Sequence, residues 1–233
     1  MAVFDFDKMD DYVQQQSEGF NFFKLEDDGW MAKVRFMYGP GEGIPGFSVH
    51  NVSHDPKKPK HINCLREAGQ PLEVCPLCNS GNPTKVQFYL TLYVLSMTKC
   101  INGRLQAEEP VNQVMIFQRG TTFRAVIGSV LRQSQGRPLV NNVFNLVRSG
   151  KKGDVSSTYT AELVGNDNTT LDMLPERPEI LGSYILPKVD YNDMLKYVGT
   201  NMSTPQDIVP RTVTNNMNNN SYQAPIKPTG IPF

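Results

Sequence analysis

The chain has 233 residues, 39% of them hydrophobic, with 23 basic and 23 acidic side chains and a formal net charge of zero. That is enough apolar material for one core. No apolar run approaches the ~18 residues of a membrane-spanning helix, which excludes a helical membrane protein. The zero balance hides an asymmetry: residues 1–30 carry 2 basic and 8 acidic groups, residues 31–153 carry 16 and 6, and residues 154–233 carry 5 and 9. A basic middle between acidic ends is the pattern of a polyanion-binding core.

Residues 1–20 read as a short acidic amphipathic segment ending at Gly19, with Asp5, Asp7, Asp10 and Asp11 on it. The start lacks the basic-then-apolar pattern of a signal peptide, so the expected location is cytoplasmic, with no membrane partner. From Phe22 the period changes to two. In WMAKVRFMY (30–38), Trp30, Ala32, Val34, Phe36 and Tyr38 share one face, while Lys33 and Arg35 share the other. GPGEGIPG (39–46) reads as a loop and FSVHNV (47–52) as a second strand.

Residues 53–84 break the pattern. They are rich in Pro, Lys, Asn and Cys, poor in large apolar side chains, and cannot bury a core without a staple. Within them stands His61-x2-Cys64-x10-Cys75-x2-Cys78. Thiolates and imidazole suit zinc, and four protein ligands make a closed, structural site. One structural Zn2+ on His61, Cys64, Cys75 and Cys78 is therefore expected. His54 is an alternative fourth ligand, an iron–sulfur cluster takes the same ligand types, and free buried thiols are the plain alternative. Structural zinc can supply ~10–16 kcal/mol of apparent binding energy in a peptide, sufficient to fold a coreless segment. Cys100 follows a core strand and reads as a packed thiol.

KVQFYLTLYVLSM (85–97) is the strongest strand. Val86, Phe88, Leu90, Leu92 and Val94 form its core face; Gln87, Tyr89, Thr91, Tyr93 and Leu95 form the other. VNQVMIFQ (111–118) is a further strand. TTFRAVIGSVLRQSQ (121–135) reads as a helix with a stripe of Phe123, Val126, Ile127, Val130 and Leu131, stopped by Gly136. Residues 142–148 and 157–165 form a hairpin around SGKKGD. A short helix near 190–198 is expected, and residues 199–233 read as a disordered polar tail.

Several short strands, one helix and no strand–helix–strand alternation give a mainly β chain. The expected architecture is an OB-fold-like five-stranded barrel with one helix and an inserted zinc-stapled subdomain. Its expected layout is an acidic segment (1–20), a core (21–170) with the insertion at about 53–84, an extension (171–198) and the tail (199–233).

Enzymatic patterns are missing: there is no H-x-E paired with P-C-x-x-C, no H-E-x-x-H, no G-x-x-x-x-G-K-[ST] and no G-x-S-x-G. The expectation is a binding protein rather than an enzyme. Tyr89 and Tyr93 flanked by Lys33 and Arg35 form a surface on which bases stack and phosphates meet cations; packing at a second interface is the competing use of the tyrosines. Phe117 with Arg119, Arg148, Lys151 and Lys152, and Lys57, Lys58 and Lys60 beside the cysteines, are further candidate contacts. A zinc-containing nucleic-acid enzyme subunit needs carboxylate clusters that the basic block hardly supplies. A protein–protein adaptor is the third reading.

The segments FFKLEDDGWMAKVRFMY, HINCLREAGQPLEVCPLC, VQFYLTLYVLSM and VFNLVRSGKKGDVSSTY resemble the single-stranded DNA-binding proteins of tailed phages, of the T-even helix-destabilising type, over roughly residues 20–165. The resemblance implies an OB fold, a structural zinc, and sequence-tolerant binding of single-stranded DNA during phage replication, recombination and repair. In the T-even proteins the first two zinc ligands are more widely spaced than His61 and Cys64. The terminal Ile231-Pro232-Phe233 resembles the tip of bacterial single-stranded DNA-binding proteins, which docks replication and repair enzymes; here the usual run of Asp is missing and Lys227 stands nearby. Self-association along DNA is a further partner expectation.

Overall fold

The computed structural model describes residues 21–53, 59–154 and 156–198. The expectations placed on residues 1–20, on His54, Lys57 and Lys58, and on the tail with Ile231, Pro232 and Phe233 lie outside these residues. The chain divides after Asn201, and all described residues belong to the first part. Among them, no helix is long and apolar enough to cross a membrane.

The strands are β1 (Asn21–Phe22), β2 (Met31–Phe36), β3 (Gly46–Asn51), β4 (His61–Asn63), β5 (Thr84–Thr98), β6 (Cys100–Ile101), β7 (Arg104–Leu105), β8 (Glu109–Gly120), β9 (Asn142–Ser149) and β10 (Thr158–Asn166). The helices are α1 (Pro76–Asn79), α2 (Arg124–Gln133) and α3 (Tyr191–Leu195). Among the described residues, the elements read from hydrophobic period are present within a few residues. The short β6–β7 hairpin escaped that reading because its signal is a two-residue turn: Asn102 and Gly103 both have positive φ, 51° and 75°.

β5 is the spine. It pairs with β3 over residues 84–88, with β2 over 92–98 and with β8 over 87–97. The strand order is β1-β8-β5-β2-β9-β10, with β3 and β4 branching from β5. β1 runs parallel to β8, and the other ladders are antiparallel. The chain is thus mainly β with one mixed sheet. The expected closed barrel is not found: no backbone ladder joins β8 to β10 among the described residues. Side chains bridge that gap instead, with the Phe117 and Tyr159 rings 5.3 Å apart and edge-on.

The main core lies between this curled sheet and α2. It gathers Ala32, Val34 and Phe36 from β2, Leu90, Leu92 and Val94 from β5, Phe144 and Leu146 from β9, and Phe123, Ile127 and Val130 from the helical segment. Phe117 sits at its centre, only 1% exposed, with Phe23, Phe123 and Tyr159 edge-to-face around it at 5.0, 5.2 and 5.3 Å. Burying a ring this fully contributes about 3 kcal/mol, and edge-on partners add to it. It is a core residue and offers no face to a nucleobase. Leu131, placed on the helix's apolar stripe by its spacing, is exposed instead.

Arg35 is likewise internal. Its guanidinium meets Asp167 through two bonds of 3.0 and 2.5 Å and donates to the Val140 carbonyl at 3.1 Å. A buried guanidinium without a carboxylate is costly, so this pair ties β2 to the end of β10. The Arg35 hydrogen bonds hold the Asp167 carboxyl down, to about 2. A depressed carboxyl stabilises the fold above its unfolded value and loses that contribution as pH falls through the folded one. Because Asp167 is half exposed, solvent screening limits the contribution to roughly 1–2 kcal/mol. Asp167→Asn should therefore destabilise by about that amount at pH 7, and the gap from wild type should close between about pH 4 and pH 2. Denaturant titrations at three pH values check this; a gap independent of pH would refute it.

Candidate functional site

Three separate pieces of chain build the cysteine site. His50 comes from β3, Cys64 follows β4, and Cys75 and Cys78 flank the first turn of α1, which Pro76 opens with its preset φ. The four ligand atoms all lie within 4.8 Å of one another. Sγ of Cys64 and Cys78 are 3.5 Å apart, and His50 Nε2 is 3.3 Å from Cys75 Sγ and 3.6 Å from Cys78 Sγ. The edges of a tetrahedron around a zinc-sized ion are about 3.8 Å between sulfurs and about 3.6 Å from sulfur to nitrogen, from bond lengths near 2.3 and 2.0 Å. The donors therefore fit one metal ion.

Their electrostatics agree. Burial pushes the Cys64 thiol up and the Cys78 thiol up to about 12. Burial also opposes ionisation of Cys75, but backbone N–H groups of Cys78, Leu65 and Leu77 outweigh it and bring that thiol down. Three thiolates this close need a cation between them, and metal binding must release protons. Burial keeps His50 neutral. Its Nδ1 lies 3.3 Å from Asn82 Oδ1; a proton donated there leaves Nε2 as the free lone pair facing the sulfurs.

The fourth ligand is thus His50, not His61 as the H-x2-C spacing suggests. Residues 61–63 are extended, and alternation sends His61 and Cys64 to opposite faces. His50 opposes Ile62 across the β3–β4 ladder and so shares the face of Cys64. His61 turns outward, and its Nδ1 takes a 2.9 Å hydrogen bond from Gln118. The strand character of both segments was the usable signal. A small second core of Val52, Ile62, Leu77, Val189 and Met194 surrounds the ligands. The C-terminal extension closes it: Met194 Sδ lies 3.7 Å from Cys75 Sγ, and the Val189 amide donates to Asn63 at 2.6 Å.

The candidate nucleic-acid contacts scatter. Lys33 is paired with Glu108 at 2.7 Å, and Lys152 with Glu26 at 3.0 Å. Arg148 is buried, donating to the carbonyls of Leu25, Gly150 and Lys151. Lys60 is half-buried beside β3, its amide donating to Asn51. Tyr93 is half-buried opposite Arg35, Arg119 is half-buried beside Tyr159, and Lys151 is exposed at the hairpin tip. Tyr89, 2% exposed, is no stacking platform: it packs with Val49, Ile116, Ile185 and Leu186 in a third core. The competing use of this tyrosine is the one the fold makes.

Tyr89 and Thr91 nevertheless floor a cleft of about 620 Å³, walled by Tyr38, Phe47, Arg177 and Lys188. Phe47 is half-buried and meets Tyr89 edge-on at 6.0 Å. Tyr38 accepts a hydrogen bond from the Thr91 amide, and Arg177 lies over its ring at 5.9 Å while pairing with Glu42 at 2.6 Å. Burial lifts both phenols to about 12, so they stay neutral. Lys188 is exposed at the rim, near Glu179. Sequence reasoning missed Tyr38, Phe47, Arg177 and Lys188 as site residues, since the extension reaches this face from about ninety positions downstream of Tyr89.

No family model matches the chain, and no curated protein or solved structure matches it either. The metal assignment makes a direct prediction. Purified protein should carry one metal ion per chain, His50→Ala should lose it, and His61→Ala should keep it. Asn82→Ala should weaken metal affinity about 10–100-fold. Elemental analysis and competition with a chelator measure all three; metal retained by His50→Ala and lost by His61→Ala would reverse the assignment.

Proposed function

We propose that this protein binds single-stranded DNA without strong sequence preference, as a phage-type replication and recombination protein, and does no chemistry on it. The observation that carries the reading is the cleft on the outer face of β5. There the half-buried Phe47 ring meets the cations of Lys188 and Arg177, the latter paired with Glu42, over a floor that includes the buried Tyr89. Aromatic side chains with cations along one groove suit a strand of stacked bases and phosphates.

Strand order supports it. Taking β2, β5, β8, β9 and β10 as strands one to five, strand one lies between two and four, three flanks two, and five flanks four. α2 falls between three and four. This is the order of a partly open OB fold, whose second and third strands and adjoining loops take oligonucleotides. The metal module then occupies the loop between strands one and two. Three thiolates and one imidazole in a closed set favour a structural Zn2+. With His50 as the ligand the spacing becomes His50-x13-Cys64, the wider separation of the T-even type.

Fluorescence anisotropy of labelled oligo-dT, at several salt concentrations and with duplex as control, tests the reading. Tight binding to the single strand should weaken with a linear log–log salt dependence, and duplex should bind poorly. Phe47→Ala should weaken binding by about tenfold, since a stacked base contributes ~1–3 kcal/mol. No single-strand binding at low salt by the metal-loaded protein would overturn the proposal.

A further inference from the structure

Arg35, Arg119 and Arg148 are all wholly or partly buried, but among the described residues only Arg35 forms an ion pair with a carboxylate. Arg119 stands at the end of β8, its guanidinium beside two edge-on rings, 4.3 Å from the centre of Phe117 and 4.1 Å from that of Tyr159. Its one hydrogen bond, from Nη2, goes to the Tyr159 hydroxyl. Arg148 donates to the same hydroxyl at 3.4 Å, which places two guanidinium groups around one neutral oxygen. Arg119 Nε is buried with no acceptor, and Nη1 makes no hydrogen bond and is not among the buried unpaired atoms, so it faces solvent.

Buried like charges repel, and a guanidinium with unused donors leaves hydrogen-bonding capacity unsatisfied. Burial, with Arg148 adding to it, works against the Arg119 charge. Asp27 accepts from the amides of Asp28 and Lys152 and Asp154 from Ser156, and both carboxylates also feel the charge of Arg148. Among the described residues, no carboxylate forms an ion pair with Arg119. The Tyr159 hydroxyl and the two rings restrain the Arg119 guanidinium, and Nη1 remains as a charged donor for a phosphate oxygen.

We propose that Arg119, held by Phe117 and Tyr159 and reinforced by the charge of Arg148, is a phosphate-binding site for a phosphodiester of the bound strand. The ligand rests on the single-strand reading above; the site itself rests on the unpartnered guanidinium. Gln118, the preceding residue, donates to Tyr89 in the cleft floor at 3.4 Å; Arg119, opposite Phe88 in the ladder, points to the other face of the sheet, so a strand reaching both would pass round the end of β8.

The test uses the full chain with its metal. Arg119→Gln should reduce the salt slope for oligo-dT by about 0.7, one phosphate on a single strand, with several-fold weaker binding at low salt. Arg119→Lys should keep the slope. A wild-type slope in Arg119→Gln would overturn the proposal, because a purely structural role changes stability and not counterion release. Should Arg119→Gln fail to fold, the Arg119 Nε–H signal of the wild type, identified by its loss in Arg119→Lys, should shift on adding oligo-dT. An unmoved signal overturns the site. If the wild type binds no strand at all, the single-strand reading fails separately. The site is then judged by inorganic phosphate: a rise in Tm for wild type but not for Arg119→Gln upholds it, and equal behaviour overturns it.

Discussion

Side-chain alternation along β5 divides this protein. Even-numbered Leu90, Leu92 and Val94 enter the main core, and odd-numbered Tyr89 and Thr91 face the extension and the cleft. A slip of one residue would exchange the two sets, so register must be pinned, and three ladders pin it. The irregularity between Val94 and Ser96 then reverses the parity. Beyond it Met97 turns to the core and Ser96 turns out to Glu108. A bulge thus ends the cleft face and begins a polar one.

The ligand site and the cleft are mechanically one unit. His50 follows Val49 on β3, and Val49 packs with Tyr89 and Leu186 beneath the cleft. At the other end, Val189 and Met194 are fixed on the metal core, directly after Lys188 on the cleft rim. The segment between Ile180 and Val189 is therefore held by two small cores, each too small to order it alone. Coordination offsets the entropy of joining β3, β4, α1 and the extension, which bring contacts from distant parts of the chain. A metal held by this group would in this way also support the shape of the proposed DNA cleft.

Strands and the helix were legible because period two and period 3.6 are local signals. The cysteines were legible as ligands for the same reason. His50 was not, because pairing a histidine with Cys64 by short spacing presumes a turn where the chain is extended. The free face of β5 was misread as solvent-facing, since its cover comes from residues 180–186. Lys33, Arg35 and Lys152 looked like phosphate contacts while Glu108, Asp167 and Glu26, their partners, lay far off in sequence. Composition counts charges but does not say which are already neutralised.

That distinction changes what the charge asymmetry means. The basic middle is partly balanced on folding: Arg35 and Lys152 find acids from the segments on either side, and Lys33 and Lys99 find Glu108 and Glu109 within it. A polyanion would have to displace those carboxylates to use the same cations, and the gain would be small. Arg119, set beside two aromatic rings, has no such competitor among the described residues. Arg35 and Arg119 are the same residue type, yet folding gives one a carboxylate and sets the other beside two aromatic rings. The first is a structural tie, complete within the protein. The second, on the reading proposed above, would take its counter-charge from a bound phosphate.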